Sequence, residues 1–257
     1  MLHPNPVKAA LRAGRPQLGT FAKFTDPAAV EILALAGFDF IIIDREHTQM
    51  GDETMVNLIR AAHAHQLTPT VRVREFNAAA ILHALDAGAL GIQVPQVNSP
   101  EMARAVVDAA KYPPLGKRGY AASQRSASYG FCDAAAYAAQ SNAETLVTVY
   151  CETREAVECL DAILALPEID VVFLGPADLS ASYGVIGQTK HPTVQRAIDT
   201  VIEKTRAAGK TVGTVCKDAA GAKELVARGV NYVSLDSDQG LLGQLAARYV
   251  KEFAGGR

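Results

Sequence analysis

The sequence predicts a single domain, residues 1–257, folded as a (β/α)₈ barrel of the usual length. Short apolar runs alternate with longer helical patterns from one end of the chain to the other, and there are eight of each. Several of the apolar runs are continuous, as in parallel strands that are covered on both faces. A doubly wound sheet is the alternative, but it commonly has a glycine-rich first turn, and the chain contains no G-x-G-x-x-G or Walker loop.

The predicted elements follow each other as strand and helix in turn. The strands are 17–21, 39–43, 69–73, 90–94, 145–151, 170–174, 211–215 and 231–235. The helices are 27–36, 52–66, 77–87, 99–111, 153–165, 192–208, 218–228 and 239–253. Several helices have recognisable ends, since Asp26 precedes Pro27 at one start, and Gly37 and Gly88 each follow the last residue of a helix.

One segment, 112–131, is irregular and lies between the fourth helix and a short helical stretch at 133–142. Loops of this length in compact domains are usually functional lids, interface elements or disordered segments. The Pro, Gly, Arg and Tyr residues of this segment predict an ordered loop that can offer cations to an anionic ligand.

The composition argues against several classes of partner. The formal net charge is −2 and no long Lys/Arg run is present, so nucleic acid is not expected to bind. The apolar runs are shorter than the roughly 20 residues of a membrane-spanning helix, and the first residues lack the apolar core of a secretory signal. No two cysteines have the C-x-x-C spacing, which predicts free thiols and a cytoplasmic location; they are Cys132, Cys151, Cys159 and Cys216.

In a barrel, catalytic groups lie at the C-terminal ends of the strands, an end called the mouth below. Polar side chains follow most of the predicted strands at that end. They are Asp44, Arg45, Glu46, His47, Arg72, Gln93, Glu152, Asp178, Lys217 and Asp236. Acidic, basic and imidazole groups are therefore expected to converge at the mouth, and the apolar Val215 is a further candidate for a substrate contact.

Glu152 and Asp178 follow neighbouring strands, which a barrel places side by side. Two carboxylates without a Cys or His partner suit a hard divalent cation such as Mg²⁺ or Mn²⁺, with water and substrate oxygens as the other ligands. An acid that caps a helix is the alternative for Glu152, which stands just before Thr153. Because two acids occur together, we expect a metal site.

His47 and Arg72 suggest the remaining parts of an active site. Imidazole titrates near neutral pH, so His47 is a candidate base, and Asp44 could hold its tautomer. Arg72 can bind a carboxylate through two parallel hydrogen bonds, or it can form an ion pair at the barrel rim. A metal, a base and a carboxylate clamp together predict the formation of an enolate from a 2-oxo acid, which then attacks an aldehyde.

Segments that carry these residues resemble the HpcH/HpaI family of metal-dependent class II pyruvate aldolases, which includes 4-hydroxy-2-oxoheptanedioate aldolase and 2-dehydro-3-deoxyglucarate aldolase. The segments keep the family's order and are spread over most of the chain. They are FDFIIIDREH (38–47), TVRV around Arg72, HALDAGALGIQVPQV (83–97), KYPPLGKRG (111–119), ETREA (152–156) and GPADLSASYG (175–184).

The resemblance implies a role for each matching position. Glu152 and Asp178 would hold a divalent metal, Mg²⁺, Mn²⁺ or Co²⁺, and His47 would be the base with Asp44 as its partner. Arg72 would orient the keto acid. The expected substrate contacts are Arg72, Arg45, Gln93, Val215 and the backbone of Ala177 and Asp178.

The family also implies a homo-oligomer, a hexamer built as a trimer of dimers, in which the last helix is exchanged between subunits. Asp86 and Arg125 would then lie near a subunit boundary. Two positions depart from the family pattern, which commonly has Gly at Arg45 and often Gln at Tyr150. A long cation at position 45 could pair with Glu46, narrow the aldehyde side or recruit an acidic acceptor.

Three other functions remain open at this stage. Lys217 could form a Schiff base in a metal-free aldolase. The same enolate site could decarboxylate oxaloacetate. A keto-acid-binding barrel without catalysis is the non-enzymatic alternative, and it is disfavoured because His47, Arg72, Glu152 and Asp178 occur together.

Overall fold

Eight parallel strands form a closed barrel, which confirms the predicted fold. A computed structural model of the protein describes residues 4–255. The strands pair in chain order and β1 closes the barrel against β8; each begins and ends within two residues of its prediction. They are β1 (Gln17–Ala22), β2 (Phe40–Asp44), β3 (Thr68–Arg72), β4 (Gly91–Val94), β5 (Leu146–Cys151), β6 (Val171–Leu174), β7 (Thr211–Cys216) and β8 (Tyr232–Ser237).

The helices surround the barrel, and all of the predicted ones are present. They are α1 (Pro6–Arg12), α2 (Pro27–Leu35), α3 (Asp52–Ala64), α4 (Ala78–Asp86), α5 (Pro100–Ala110), α6 (Ala134–Glu144), α7 (Arg154–Glu158), α8 (Leu160–Leu164), α9 (Pro176–Ser182), α10 (Pro192–Ala207), α11 (Ala219–Ala227) and α12 (Asp238–Ala254). The structure adds α1 and α9, and it divides the helix expected at 153–165 into α7 and α8 at Cys159. These pieces are too short to produce a helical periodicity.

Aromatic side chains fill the inside of the barrel. Phe40 stacks on Tyr232 with 4.0 Å between ring centroids, and Tyr150 stacks on Phe173 at 4.5 Å. Gly19 leaves room for this packing, because a Cβ atom there would lie 2.2 Å from the Phe40 ring. Helix α1 closes the N-terminal end of the barrel by packing its apolar side chains into the same cluster. Side chains therefore fill the interior of the barrel between α1 and the mouth.

The loop after α5 is ordered, as predicted. The Arg118 guanidinium lies over the Tyr112 ring, 4.6 Å from its centroid, and donates a hydrogen bond to Asp86 Oδ1 at 2.6 Å. A 3₁₀ turn follows at Arg125–Gly130, and Arg125 Nη1 donates to the carbonyl oxygen of Ala87 at 2.9 Å. Asp86 and Arg125 thus hold the loop against the end of α4, and their place at a subunit boundary stays a prediction.

The last helix, α12, contacts the barrel only at its start. The Asp238 carboxylate accepts hydrogen bonds from the backbone N–H groups of Lys23 and Phe24. From residue 242 to residue 255 every side chain is exposed. The exposed residues include several large apolar ones: Leu242, Leu245, Tyr249, Val250 and Phe253. No helix within residues 4–255 combines the length and the apolar character needed to cross a membrane.

Candidate active site

Asp44 and Arg72 form a buried ion pair at the centre of the mouth. They are the last residues of β2 and β3 and are partners in the strand register. Arg72 Nε donates to Asp44 Oδ1 at 3.0 Å, and Nη2 donates to Oδ2 at 2.8 Å. Burial opposes the charge on Asp44, but the hydrogen bonds and charge of Arg72 outweigh it and lower the pKa of Asp44 below its ordinary value. Both groups are therefore ionised at neutral pH.

The Arg72 guanidinium is also held from other sides. Its Nη1 atom lies 2.9 Å from Glu46 Oε2. Its central carbon lies 4.7 Å from the centroid of the Phe21 ring and 5.7 Å from that of Tyr150. Two N–H donors of this side chain thus hydrogen-bond to Asp44, and its charge is also paired with Glu46. The carboxylate that Arg72 clamps in this structure is that of Asp44.

His47 stands at the mouth, but its pairing differs from the prediction. The Asp44 carboxylate contacts the backbone N–H of His47, at 3.3 Å, and does not contact the ring. The ring is 57% exposed, and its Nε2 atom lies 3.7 Å from Glu46 Oε2. The expectation that Asp44 holds the tautomer of His47 is therefore corrected: Arg72 occupies the Asp44 carboxylate, and the acidic neighbour of the imidazole is Glu46.

Glu152 directly follows β5, and Asp178 lies in the first turn of α9. The Glu152 side chain is buried, and its Oε1 atom accepts the backbone N–H of Gln96 at 2.8 Å. Gly175 makes room for this carboxylate, because a Cβ atom there would lie 2.6 Å from Glu152 Oε2. Asp178 is exposed at the mouth. The strand ends thus bring the two predicted acids to the same part of the barrel.

The electrostatics of Glu152 fit a cation. Burial, helped by the nearby charges of Asp178 and Glu46, raises its pKa to about 7 against the opposing effects of Gln96 and Arg72. A divalent cation would remove this unfavourable accumulation of negative charge, and carboxylate oxygens are the ligands that hard cations prefer. Within residues 4–255 no cluster of three or more His, Cys, Asp or Glu side chains able to hold a metal is found. The two-carboxylate ligand set stays a prediction that this donor chemistry fits.

Gln93 is buried inside the barrel, which corrects its expected role as a substrate contact. Its Nε2 atom donates to Thr70 Oγ1 and to the Tyr232 hydroxyl, each at 2.9 Å. Its Oε1 atom accepts the Tyr150 hydroxyl at 2.8 Å. The amide therefore links β4 to three other strands, β3, β5 and β8. Tyr150, where the family often has Gln, adds a ring beneath Arg72 and completes this buried network.

Arg45 points away from the mouth, which corrects the expectation that it reaches the aldehyde. Its Nη1 atom pairs with Asp52 Oδ1 at 2.6 Å and contacts Met55 Sδ at 3.7 Å. It lines a separate cavity of about 300 Å³ together with His83 and the residues around Arg74. The physical reason is strand alternation: Asp44 faces the inside of the barrel, so the next side chain faces the helices.

Ala177, Val215 and Lys217 line a second, larger cleft of about 750 Å³ beside the mouth. The cleft also contacts α10 and α11. Val215 is 38% exposed at the end of β7, and its role as a substrate contact stays a prediction. Lys217 is exposed to solvent. The cleft thus brings the two predicted contacts Ala177 and Val215 to one surface.

Lys23, the residue that follows β1, belongs to the site although it is not among the site residues predicted from the sequence. Its Nζ atom lies 3.5 Å from Asp44 Oδ2, and its side chain is 24% exposed. Its position directly after a strand was an available signal, because the same criterion selected Glu152. Phe21 and Glu46 also belong to the site through their contacts with Arg72.

The chain is similar in sequence to known proteins. The family model for HpcH/HpaI aldolase/citrate lyase matches residues 17–244. A 2-keto-3-deoxy-L-rhamnonate aldolase of Salmonella gallinarum is 41% identical over 235 residues, 91% of this chain and 87% of the relative.

Two solved structures have the same fold as this chain. An HpcH/HpaI aldolase/citrate lyase family protein from Burkholderia cenocepacia superposes with a TM-score of 0.92 at 32% identity, covering 97% of this chain and 99% of the other. An HpcH/HpaI aldolase from Desulfitobacterium hafniense gives a TM-score of 0.92 at 33% identity, covering 98% and 97%.

Proposed function

The chain belongs to the HpcH/HpaI aldolase/citrate lyase family, and we propose that it is a class II aldolase, a carbon–carbon lyase, acting on 4-hydroxy-2-oxo acids. The donor would be the enolate of pyruvate or hydroxypyruvate, and the acceptor an aldehyde. The observation that carries the proposal is the pair Glu152 and Asp178, whose accumulated negative charge lies at the same mouth as the Asp44–Arg72 ion pair.

Glu152 and Asp178 would hold a divalent metal, Mg²⁺, Mn²⁺ or Co²⁺. When bound, such a metal stabilises the negative charge of an enolate at neutral pH. The first-turn N–H groups of α9, at Ala177 and Asp178, have no partner within the helix and would donate hydrogen bonds to the carboxylate of the keto acid. The N–H donors of Arg72 that do not bind Asp44 would orient the keto oxygen.

His47 would move the proton. In the condensation direction its ring takes a proton from C3 of the keto acid, and the C–H electron pair enters the enolate. Carbon C3 then attacks the carbonyl carbon of the aldehyde, which forms the new C–C bond and leaves an alkoxide. The proton returns to that oxygen. Cleavage is the reverse sequence, and in it the imidazole first accepts the proton of the C4 hydroxyl.

A second candidate is decarboxylation of oxaloacetate, which ends in the same pyruvate enolate and needs the same Arg72, Glu152 and Asp178. The Schiff-base alternative lacks support in the structure, because Lys217 is solvent-exposed and a Schiff-base lysine is activated by burial or by a neighbouring cation. A keto-acid-binding barrel without catalysis would retain binding and lose proton exchange at C3.

We also propose the quaternary structure of the family, a hexamer built as a trimer of dimers with α12 exchanged between subunits. The exposed apolar residues of α12 support this, since a helix with such a face is normally covered. Ile32 and Leu35 on α2 are 66% and 78% exposed and offer an apolar surface of the same kind. A cytoplasmic location is supported by free thiols at all four cysteines.

The proposed function is tested with a panel of aldehydes and two donors, pyruvate and hydroxypyruvate, under Mg²⁺, Mn²⁺, Co²⁺ or EDTA, with products identified by mass. We expect 4-hydroxy-2-oxo acid products that depend on the metal and are lost in EDTA. Borohydride trapping of pyruvate on the protein in EDTA would instead establish the Schiff-base mechanism. Binding of pyruvate without C3 proton exchange under any metal would establish the non-catalytic alternative.

A further inference from the structure

We propose that Lys23 determines acceptor specificity: its ammonium group binds the negative charge of an anionic aldehyde, such as a semialdehyde or an oxo acid. The inference rests on the proposed aldolase function and deepens it by naming the class of acceptor. The observation behind it is an ammonium held at the mouth with hydrogen-bond donors that the protein does not use.

Lys23 is fixed in position by its backbone. Its N–H donates to both oxygens of the Asp238 carboxylate, at 3.0 and 2.9 Å, and the N–H of Phe24 donates to Asp238 Oδ2 at 2.9 Å. This clamp attaches the end of β1 to the start of α12. The side chain of Lys23 therefore enters the mouth from a rigid support, as a specificity residue requires.

The ammonium group forms one close ion pair in the described part of the chain, with Asp44 Oδ2 at 3.5 Å, and its charge also acts on the Asp238 carboxylate. The Asp44 carboxylate has hydrogen-bond partners other than the Lys23 ammonium. It already accepts two N–H groups from Arg72 and the backbone N–H groups of Glu46 and His47. An ammonium group has three donors, so at least two of those of Lys23 are left for a ligand, although about three quarters of the side chain is buried.

Lys23 lies on the side of the mouth where we expect the acceptor aldehyde. Strand β1 is the fourth neighbour of β5 in either direction, so Lys23 lies across the mouth from Glu152. The metal and the keto acid would occupy the side of Glu152 and Asp178. The opposite side of the mouth, where Lys23 stands, would then be left for the aldehyde.

The negative charge at the mouth is the reason that an anionic acceptor would depend on Lys23. With Glu152 and Asp178 holding the metal, an anionic acceptor entering there meets the carboxylates of Asp44 and Glu46. Arg72 is engaged with both, and Arg45 lies outside the mouth with Asp52. Lys217 lines the neighbouring cleft, so Lys23 is the cation beside Asp44 that can offset the repulsion. Without it, the electrostatic field would discriminate against negatively charged aldehydes.

The test compares aldehydes of equal length that differ in charge: succinic semialdehyde against butanal, and glyoxylate against glycolaldehyde. The kcat/KM of each is measured with pyruvate and Mn²⁺ for the parent, Lys23→Met and Lys204→Met. Lys204 is a matched control because its ammonium also pairs with one carboxylate, Asp161 at 2.7 Å, on the outer helices. Lys23→Gln replaces the first variant if thermal unfolding shows that Met disturbs the fold.

We expect the anionic-to-neutral ratio of kcat/KM to fall roughly 10- to 100-fold in Lys23→Met for at least one pair, the usual effect of losing a hydrogen bond to a charged group. The ratio in Lys204→Met stays at the parental value. Equal losses for charged and neutral aldehydes would show that Lys23 acts through Asp44 instead, and a parent that prefers the neutral aldehyde of both pairs would also overturn the proposal.

Exchange of the C3 protons of pyruvate in D₂O separates this inference from the proposed function. A parent that exchanges these protons with Mn²⁺ but shows no selective loss in Lys23→Met retains the aldolase assignment and refutes the role of Lys23. A parent without exchange refutes both.

Discussion

Replacing Glu152 by Gln should remove metal binding and, without metal, make the protein more stable. The carboxylate is 3% exposed, and burial together with the charges of Asp178 and Glu46 raises its pKa to about 7 from an ordinary value of 4.5. Gln has the same shape, carries no charge and can still accept the N–H of Gln96 through its carbonyl oxygen. The variant therefore keeps the hydrogen bond and removes the buried charge.

The size of the effect follows from this pKa. The folded protein holds the Glu152 proton more tightly than the unfolded chain. The contribution of the protonated carboxyl to the unfolding free energy is therefore fully present below pH 4.5 and is lost as the pH rises through about 7. The difference between these values corresponds to about 3 kcal/mol, at about 1.4 kcal/mol per pKa unit. In EDTA at pH 8, Glu152→Gln should exceed the parent in unfolding free energy by up to that amount, and the two should converge near pH 4.5.

The assay is urea unfolding at fixed protein concentration, in EDTA at pH 5 and pH 8 and with Mn²⁺ at pH 8. A metal at about 100 times its Kd adds about 2.7 kcal/mol to the parent, and we expect no such gain in Glu152→Gln. Asp178→Asn is the matched comparison. Asp178 is exposed, but its charge helps to raise the pKa of Glu152, so this variant should lose the gain from Mn²⁺ and become more stable in EDTA by less than Glu152→Gln does.

Two results would refute the reasoning separately. A Glu152→Gln protein that is less stable than the parent in EDTA at pH 8 would show that the carboxylate is not an uncompensated buried charge. A variant, at either position, that gains as much stability from Mn²⁺ as the parent does would show that the metal is held elsewhere.

Three further substitutions test the other parts of the site. His47→Ala should slow C3 proton exchange of pyruvate, followed by NMR in D₂O, by roughly 10²–10⁴-fold, and unchanged exchange would place the base elsewhere. Arg72→Lys keeps the charge but cannot form the two parallel bonds to Asp44, so kcat/KM with pyruvate should fall at least about tenfold; a surviving kcat/KM would make Arg72 purely structural. Arg45→Gly should leave the ranking of aldehydes unchanged and cost about 1 kcal/mol of unfolding free energy, because the guanidinium pairs with Asp52 outside the mouth. A changed ranking would contradict this.

The strands could be predicted closely because a barrel imposes a simple pattern on the sequence. β2 is buried along its whole length, which the apolar run FIII before Asp44 reflects. The same logic located Glu152 and Asp178, since the residues after neighbouring strands meet at the mouth. Helices α1 and α9 escaped prediction because seven residues each do not establish a period of 3.6.

Pairing between side chains could not be read from proximity in sequence. Asp44 and His47 are three residues apart, yet the Asp44 carboxylate contacts only the backbone of His47 and binds the side chain of Arg72, 28 residues away. The register that sets Asp44 opposite Arg72 depends on the closed barrel. Gln93 shows the same dependence, because its three partners come from other strands.

The alternation of side chains along a strand explains why Arg45 and Lys23 differ from expectation in opposite ways. Phe21 packs inside the barrel and Ala22 packs against the outer core, so the next position, Lys23, faces inward again. Ile42 and Asp44 face inward by the same count, which turns Arg45 toward the helices. Counting two residues at a time thus explains the directions of Lys23 and Arg45, which directly follow their strands, but not those of His47 and Asp178, which lie further along in the loop after β2 and in α9.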